Sequence, residues 1–324
     1  MAETSIMRVV IVNAFYPHYE MEKEILAPFH STVEHVHVSG DLVLLLDAVR
    51  SADAVMVRET PITAQTIGAM EKCKVIVRYG VGVDNIDLIA ARAKGIYVAN
   101  VPDYGSDEVA EHALALLMAV SRRIVSRDHA VRGGSWNIGP REPMYSLKGR
   151  TVGIIGFGRI GQAFHQKVSG LGFGKTLVYD PSAKHPVPEV EYVTLEQLCA
   201  ESDVISLHLP LTTESYHLLD RSKLTLMKPN AILVNTARGG LVDEEALAQV
   251  LQDRKILGAG LDVFEMEPPN LNQPLFQQHN VIATDHTGWY SEESLRDLQG
   301  KAALEIAKVF SGSPPGAWVN RWED

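Results

Sequence analysis

The chain is short of cysteine, of basic charge and of long apolar runs, and each shortage excludes a class of protein. Cysteine occurs only at Cys73 and Cys199. Two distant thiols in no metal-like spacing argue against a disulfide scaffold or a thiolate metal centre, and lead us to expect buried free thiols in a reducing cytoplasm. The net charge is −10, which argues against nucleic acid, because a phosphate backbone calls for a basic face. No apolar run is long enough to span a membrane, and Met1-Ala2-Glu3-Thr4 lacks the charged and apolar regions of a secretory signal. No cluster of metal ligands stands out, and there is no repeat of solenoid length. What remains is 324 residues, 46% hydrophobic and 22% charged: a globular chain with room for two domains and their cores.

The strongest local signal lies between residues 151 and 180. Thr151-Val152-Gly153-Ile154-Ile155 is a short apolar run that reads as a buried parallel strand. Gly156-Phe157-Gly158-Arg159-Ile160-Gly161 follows directly and opens a helical stretch to about Leu171. The first glycine permits a tight turn, the second lets backbone N–H groups approach a pyrophosphate, and the third lets helix and strand pack closely. A second strand, Leu177-Val178-Tyr179-Asp180, ends in an acid placed to accept from ribose hydroxyls. Strand, glycines, helix, strand and acid in register predict a dinucleotide site. Asp180 favours NAD over NADP by repelling a 2′-phosphate, although nearby Lys184 leaves that selectivity open. Ser169–Thr176 resembles a P-loop but follows a helix and precedes a strand, the reverse of what that motif needs.

Around this unit the chain reads as α/β with two Rossmann-like domains. Strands are expected at Val9–Val12, Val33–Val38, Ala54–Val57, Lys74–Val77 and Ile96–Ala99, which predict a small, flavodoxin-like parallel sheet. A helix at 106–126 follows, with Ser106 as N-cap, Asp107 and Glu108 in its first turn, and an apolar stripe of Val109, Ala113, Leu116, Leu117 and Val120. Later strands are expected at Val204–Leu207, Ala231–Val234, Leu257–Leu261 and Val281–Ala283, and a last helix from Ser291 to about Phe310. The pattern predicts a substrate-binding domain from residues 1–101 plus 291–324. The NAD-binding doubly wound sheet, 102–290, is inserted into it, with a hinge at the two crossings and the active site in a cleft.

Three residues then follow the fingerprint, each after a predicted strand. Arg238, in Asn235-Thr236-Ala237-Arg238-Gly239-Gly240, has the fork geometry to bind a carboxylate through two parallel hydrogen bonds; a structural ion pair is the competing role. Glu267, in Asp262–Pro269, is expected to hydrogen-bond His286, orient its imidazole and favour its protonated form. Glu265 reads as solvated, and Asp262 either accepts from a nicotinamide amide or caps the next turn. His286, in Thr284–Gly288, is the candidate acid/base. His208 and His217 read as loop or adenine-pocket residues. Together the parts predict reduction of a 2-keto acid: hydride from the nicotinamide to the keto carbon, a proton from His286, the carboxylate held by Arg238.

These segments, with His208-Leu209-Pro210, resemble the D-isomer-specific 2-hydroxyacid dehydrogenases from about Val9 to Asn320. Trp289-Tyr290-Ser291-Glu292, supported by Asn100-Val101-Pro102 and Gly239–Glu244, is most similar to their C-terminal binding protein-like branch. The resemblance implies that NAD is bound by the fingerprint, by His208, Leu209 and Pro210, by Thr236 and Ala237, by Asp262 and by Val109 against the nicotinamide. It implies that Val81 and Gly82 offer backbone N–H groups to the substrate carboxylate, and that Arg58 meets a distal polar group. Trp289 would wall the pocket, with a place in a hinge-helix core as its alternative. It further implies a homodimer joined near the helix at 106–126. Asp285 stands where the family usually has proline; its carboxylate would favour the protonated imidazole, reorient it, or face solvent. An NAD(H)-sensing, corepressor-like protein and a glyoxylate or hydroxypyruvate reductase are the alternative functions.

Overall fold

The computed structural model describes residues 6–137, 142–182 and 187–322; Lys184 lies outside the described residues. The chain forms two compact units, one from Met1–Gly105 with Ser291–Asp324 and one from Ser106–Tyr290.

The first unit opens with β1 (Met7–Val12), α1 (Glu20–Leu26), β2 (Ser31–Val36), α2 (Leu42–Arg50) and β3 (Ala54–Val57). It continues with α3 (Ala64–Ala69), β4 (Val75–Arg78), α4 (Leu88–Ala93) and β5 (Tyr97–Ala99). All five strands are parallel, in the order β2-β1-β3-β4-β5, which is the flavodoxin-like order. Asp41, Thr63 and Asp87 cap α2, α3 and α4 by accepting backbone N–H bonds, satisfying donors that a helix start leaves open. β3 and β4 are buried on both faces, so they read as unbroken apolar runs rather than alternating ones.

The second unit begins with α5 (Ser106–Ser121) and α6 (Ile124–Arg132), followed by β6 (Thr151–Ile155), α7 (Arg159–Ser169), β7 (Lys175–Tyr179), β8 (Glu191–Tyr192), α8 (Leu195–Glu201) and β9 (Val204–Leu207). It ends with α9 (Arg221–Leu226), β10 (Ile232–Asn235), α10 (Glu244–Gln252), β11 (Gly258–Leu261) and β12 (Val281–Ala283). The strands are parallel in the order β12-β11-β10-β9-β6-β7-β8, a doubly wound sheet whose order reverses between β6 and β9. One face is covered by α5 and α7 through Leu116, Leu117, Phe164 and Val168. The other is covered by α8 to α10 through Leu198, Leu224 and Leu247. Each fully buried leucine contributes roughly 1.5–3 kcal/mol.

Three expectations need correction. The helix at 106–126 is two helices: Arg123 takes a left-handed conformation (φ 55°) between α5 and α6. Ser106 is the first helical residue and its buried hydroxyl has no hydrogen-bond partner, so it caps nothing. The buried stripe of α5 runs through Ala110 rather than Val109, which stays half-buried.

The chain returns to the first unit through α11 (Glu292–Phe310). Ser291 and Ser294 form a reciprocal capping box at its start, and its buried residues recur from Leu295 through Leu298, Ala302 and Ile306 to Val309 at helical spacing.

Candidate active site

The fingerprint is shaped by what a Cβ would strike. Gly156 has φ 90°, and a Cβ there would lie 2.7 Å from the backbone carbonyl carbon of His208. A Cβ on Gly161 would overlap the Gly156 carbonyl oxygen, so helix and strand meet backbone to backbone. Gly158 is the N-cap of α7 and faces open space. This cradle at a helix N-terminus fits a pyrophosphate. Arg159 is exposed and Ile160 half-buried in the first turn of α7. Phe157 sends its ring into the core beside His165 and Tyr192, while its N–H donates to Asp180 Oδ2 at 2.8 Å. Asp180 Oδ1 accepts from Ser182 N–H at 2.8 Å, so the acid is aimed by backbone on both sides and each oxygen keeps a lone pair for a ribose hydroxyl.

The His208 side chain makes its contacts within the protein. Its Nε2 lies 2.9 Å from Ser206 Oγ, its ring is 5.1 Å from that of Phe164, and its Nδ1 is buried without a partner. Burial pulls its pKa down to about 3, so the ring is neutral. The residue meets the fingerprint through its backbone, with half-buried Leu209 and exposed Pro210 beyond.

The other three candidates sit after β10, β11 and β12, adjacent strands of the sheet, at the carboxyl edge where open α/β sheets hold ligands. Buried Asn235 folds the first of these loops: its Nδ2 donates to Arg238 O (2.9 Å) and its Oδ1 accepts from Ala237 N–H (3.1 Å). Arg238 is half-buried and its Nη1 donates to Ala237 O at 2.7 Å. Thr236 is buried with its hydroxyl unpartnered. The Arg238 loop touches the next one closely, since a Cβ on Gly239 would overlap the Phe264 carbonyl.

Glu267 and His286 are in direct contact, Oε2 to Nδ1 at 2.6 Å. Glu267 Oε1 accepts from Phe264 N–H at 2.9 Å. With Nδ1 facing the carboxylate, Nε2 is the nitrogen left for a substrate. His286 takes a left-handed backbone conformation (φ 57°) that neighbouring bonds hold. Its N–H donates to Asp262 O (2.9 Å), and its carbonyl accepts from Trp289 Nε1 (3.1 Å). Trp289 is thus half-buried and braces the histidine turn.

Asp262 is the hub of this edge. It is 1% exposed. Its Oδ1 accepts from Thr284 Oγ1 (2.6 Å) and Thr287 N–H (3.1 Å), and its Oδ2 from Gly288 N–H (2.9 Å). Burial pushes its pKa up, but bonds from His112, Thr284 and Gly288 outweigh this and hold it below the usual value. These bonds hold the histidine turn after β12 rather than the turn that directly follows Asp262. His112, absent from the sequence reading, lies on α5 with Nε2 2.9 Å from Thr284 Oγ1 and 3.3 Å from Asp262 Oδ1. The Thr284 hydroxyl donates to the carboxylate, so it accepts from a protonated Nε2 of His112. Nothing local in the sequence marks His112. Asp285 is exposed and accepts from Thr287 Oγ1 (3.1 Å). Glu265 is not simply solvated: its Oε1 lies 3.1 Å from His217 Nε2.

In the first unit, Arg58 follows β3, half-buried, with Nε 3.6 Å from Glu59 Oε1. Val81 and Gly82 follow β4. Val81 is 40% exposed, and its carbonyl accepts from Asn100 Nδ2 at 2.6 Å, which anchors the loop. Among the described residues no group of histidine, cysteine and acid side chains suits a metal ion, and no helix is long and apolar enough to cross a membrane.

A family model described as the NAD binding domain of the D-isomer specific 2-hydroxyacid dehydrogenases matches residues 114–288. A glyoxylate reductase of Thermococcus litoralis is 43% identical over 289 residues, 86% of each chain. A D-3-phosphoglycerate dehydrogenase of Methanocaldococcus jannaschii is 44% identical over 273 residues, 83% of this chain and 52% of its own. Of solved structures, the TT0316 protein of Thermus thermophilus superposes with a TM-score of 0.89 at 36% identity, over 97% of this chain and 100% of that one. A D-lactate dehydrogenase of Aquifex aeolicus, complexed with NAD and lactic acid, has a TM-score of 0.87 at 28% identity and the same coverage. A dinucleotide cradle and a histidine–glutamate pair on one sheet edge agree with these likenesses: the chain belongs to the D-isomer specific 2-hydroxyacid dehydrogenase family and is an NAD-dependent oxidoreductase of 2-hydroxy acids.

Proposed function

We propose that the protein works as a reductase of small 2-keto acids, and the observation that carries this is the 2.6 Å contact between Glu267 and His286. The nicotinamide, when bound, supplies the hydride to the keto carbon. Arg238 holds the substrate carboxylate, and the family resemblance gives Val81, Gly82 and Arg58 as further substrate-binding residues. His286 Nε2 passes a proton to the carbonyl oxygen as negative charge develops there, and Glu267 stabilises the imidazolium before transfer. Gly156–Gly161 and Asp180 would hold the cofactor, with Val109, Thr236, Ala237 and Asp262 as the residues for its nicotinamide end. The relatives named glyoxylate reductases support the smallest keto acids as substrates.

We further propose a cytoplasmic homodimer, for which the exposed apolar Ile124, Val131 and Trp136 at and beyond α6 offer a surface. A second reading, an NAD(H)-sensing protein of the C-terminal binding protein-like branch, rests on Trp289-Tyr290-Ser291-Glu292. NADH oxidation at 340 nm against glyoxylate, hydroxypyruvate, pyruvate, phenylpyruvate, branched and phosphorylated keto acids tests both. Fast turnover of one class supports the reductase. Tight NADH binding with slow turnover of every acid supports the sensor.

A further inference from the structure

The carboxylate of Glu244 is spent in an unusual place. Asp243 already caps α10, accepting from Ala246 N–H at 2.9 Å, and Glu245 also lies in its first turn. Glu244 instead reaches across to the loop after β11. Its Oε1 accepts from Glu265 N–H at 2.6 Å, and Glu265 Oε1 accepts from Glu244 N–H at 3.1 Å. The two acids therefore exchange backbone bonds and lock the helix start to the loop.

Glu265 carries the link further. Its Oε1 also accepts from His217 Nε2 at 3.1 Å, and His217 N–H donates to Gly240 O at 2.8 Å, two residues past Arg238. On the other side, Glu267 is two residues past Glu265 and touches His286. Phe264, the residue before Glu265, donates its N–H to Glu267 and lies against Gly239. One cluster thus touches both the loop carrying the carboxylate clamp and the loop carrying the partner of the proton donor.

The placement has a cost. Burial raises the pKa of Glu244, the Glu265 N–H lowers it, the Glu265 and Glu267 carboxylates raise it and His217 lowers it. Helix capping alone does not require that crowding, because Asp243 supplies the cap. Like charges gathered beside a site and retained against their repulsion point to a role in that site.

We propose that Glu244 is a positioning residue for the proton donor: braced on Glu265, it holds the turn that places Glu267 against His286 and keeps that turn in register with the Arg238 loop. This rests on His286 being the proton donor. The test uses the full-length protein with NADH and its best keto acid. Glu244→Ala breaks the bond to Glu265 and lowers kcat on the order of tenfold, with NADH affinity unchanged, because small misplacements at a reacting centre are costly. Glu244→Gln keeps the accepting oxygen without the charge; it restores kcat to within about threefold, since the brace is a hydrogen bond. Wild-type kcat in Glu244→Ala overturns the proposal. So does an equal loss in both variants, or a loss that tracks NADH affinity and melting temperature. A readout free of turnover separates this from failure of the reductase reading. The low-field Nδ1–H resonance of His286 should vanish in Glu244→Ala and persist in Glu244→Gln. A resonance that persists in both variants overturns the positioning role even if no keto acid is reduced.

Discussion

The carboxyl edge of the seven-stranded sheet has two ends built on different principles. At the β6–α7–β7 end the shape is made by backbone: two glycines leave no room for a Cβ, and the one acid is aimed by main-chain N–H groups. At the β10–β12 end it is made by side chains, with Asp262 gathering bonds from Thr284, Thr287 and Gly288 and with His112 reaching in from α5. The first kind of site is local and set by steric exclusion. The second is distributed, and each group holds its geometry only while its partners do.

The contrast can be broken at either end. The largest effect is expected from His286→Ala, which should lower turnover by roughly 10²–10⁴-fold with NADH affinity intact in a fluorescence titration. A collapse of NADH binding would show that the two ends are not separable. Gly161→Val should do the converse. Its Cβ would overlap the Gly156 carbonyl and press on Ile154 Cγ2, so NADH binding should weaken about a hundredfold and stability should fall by about 1–3 kcal/mol, both readable by calorimetry. Gly158→Ala, at the open position, should bind NADH more weakly with no change in melting temperature.

A smaller effect is expected from His112→Ala, which removes the donor to Thr284 and leaves the Asp262 hub one bond short. We expect about a tenfold loss in kcat and about 1–3 kcal/mol of stability, with partial rescue in His112→Gln. Unchanged kinetics would mean that Asp262 holds the histidine turn without help from α5.

The smallest effect concerns His208. Burial holds its pKa at about 3 in the folded chain, against roughly 6.5 when unfolded. Between those values the unfolded chain binds a proton that the folded one refuses. The stability it contributes is therefore fully present above about pH 6.5 and is lost as pH falls toward 3. His208→Gln should flatten the melting-temperature curve in that window. NADH affinity at pH 8 should hardly change, because the atoms that crowd Gly156 most closely are the backbone of His208 and Leu209.

Residues close in sequence were the legible ones. The strands at 151–155, 204–207 and 281–283 and the capped helix from Ser291 follow from runs of a few residues, and the two strand orders agree with the sheets expected. β8, two residues long, carries too little pattern to be seen. The break at Arg123 escaped because no glycine or proline marks its left-handed turn.

The sequence alone determined the α/β architecture, the dinucleotide turn and the identity of the polar groups after each late strand. These depend on period, glycine spacing and residue chemistry within a short window. Tertiary structure alone decided which further polar groups meet: that Glu265 goes to His217 and Glu244, and that His112 reaches Thr284 from 172 residues away. Such pairings depend on how strands lie side by side, and spacing along the chain does not encode that distance.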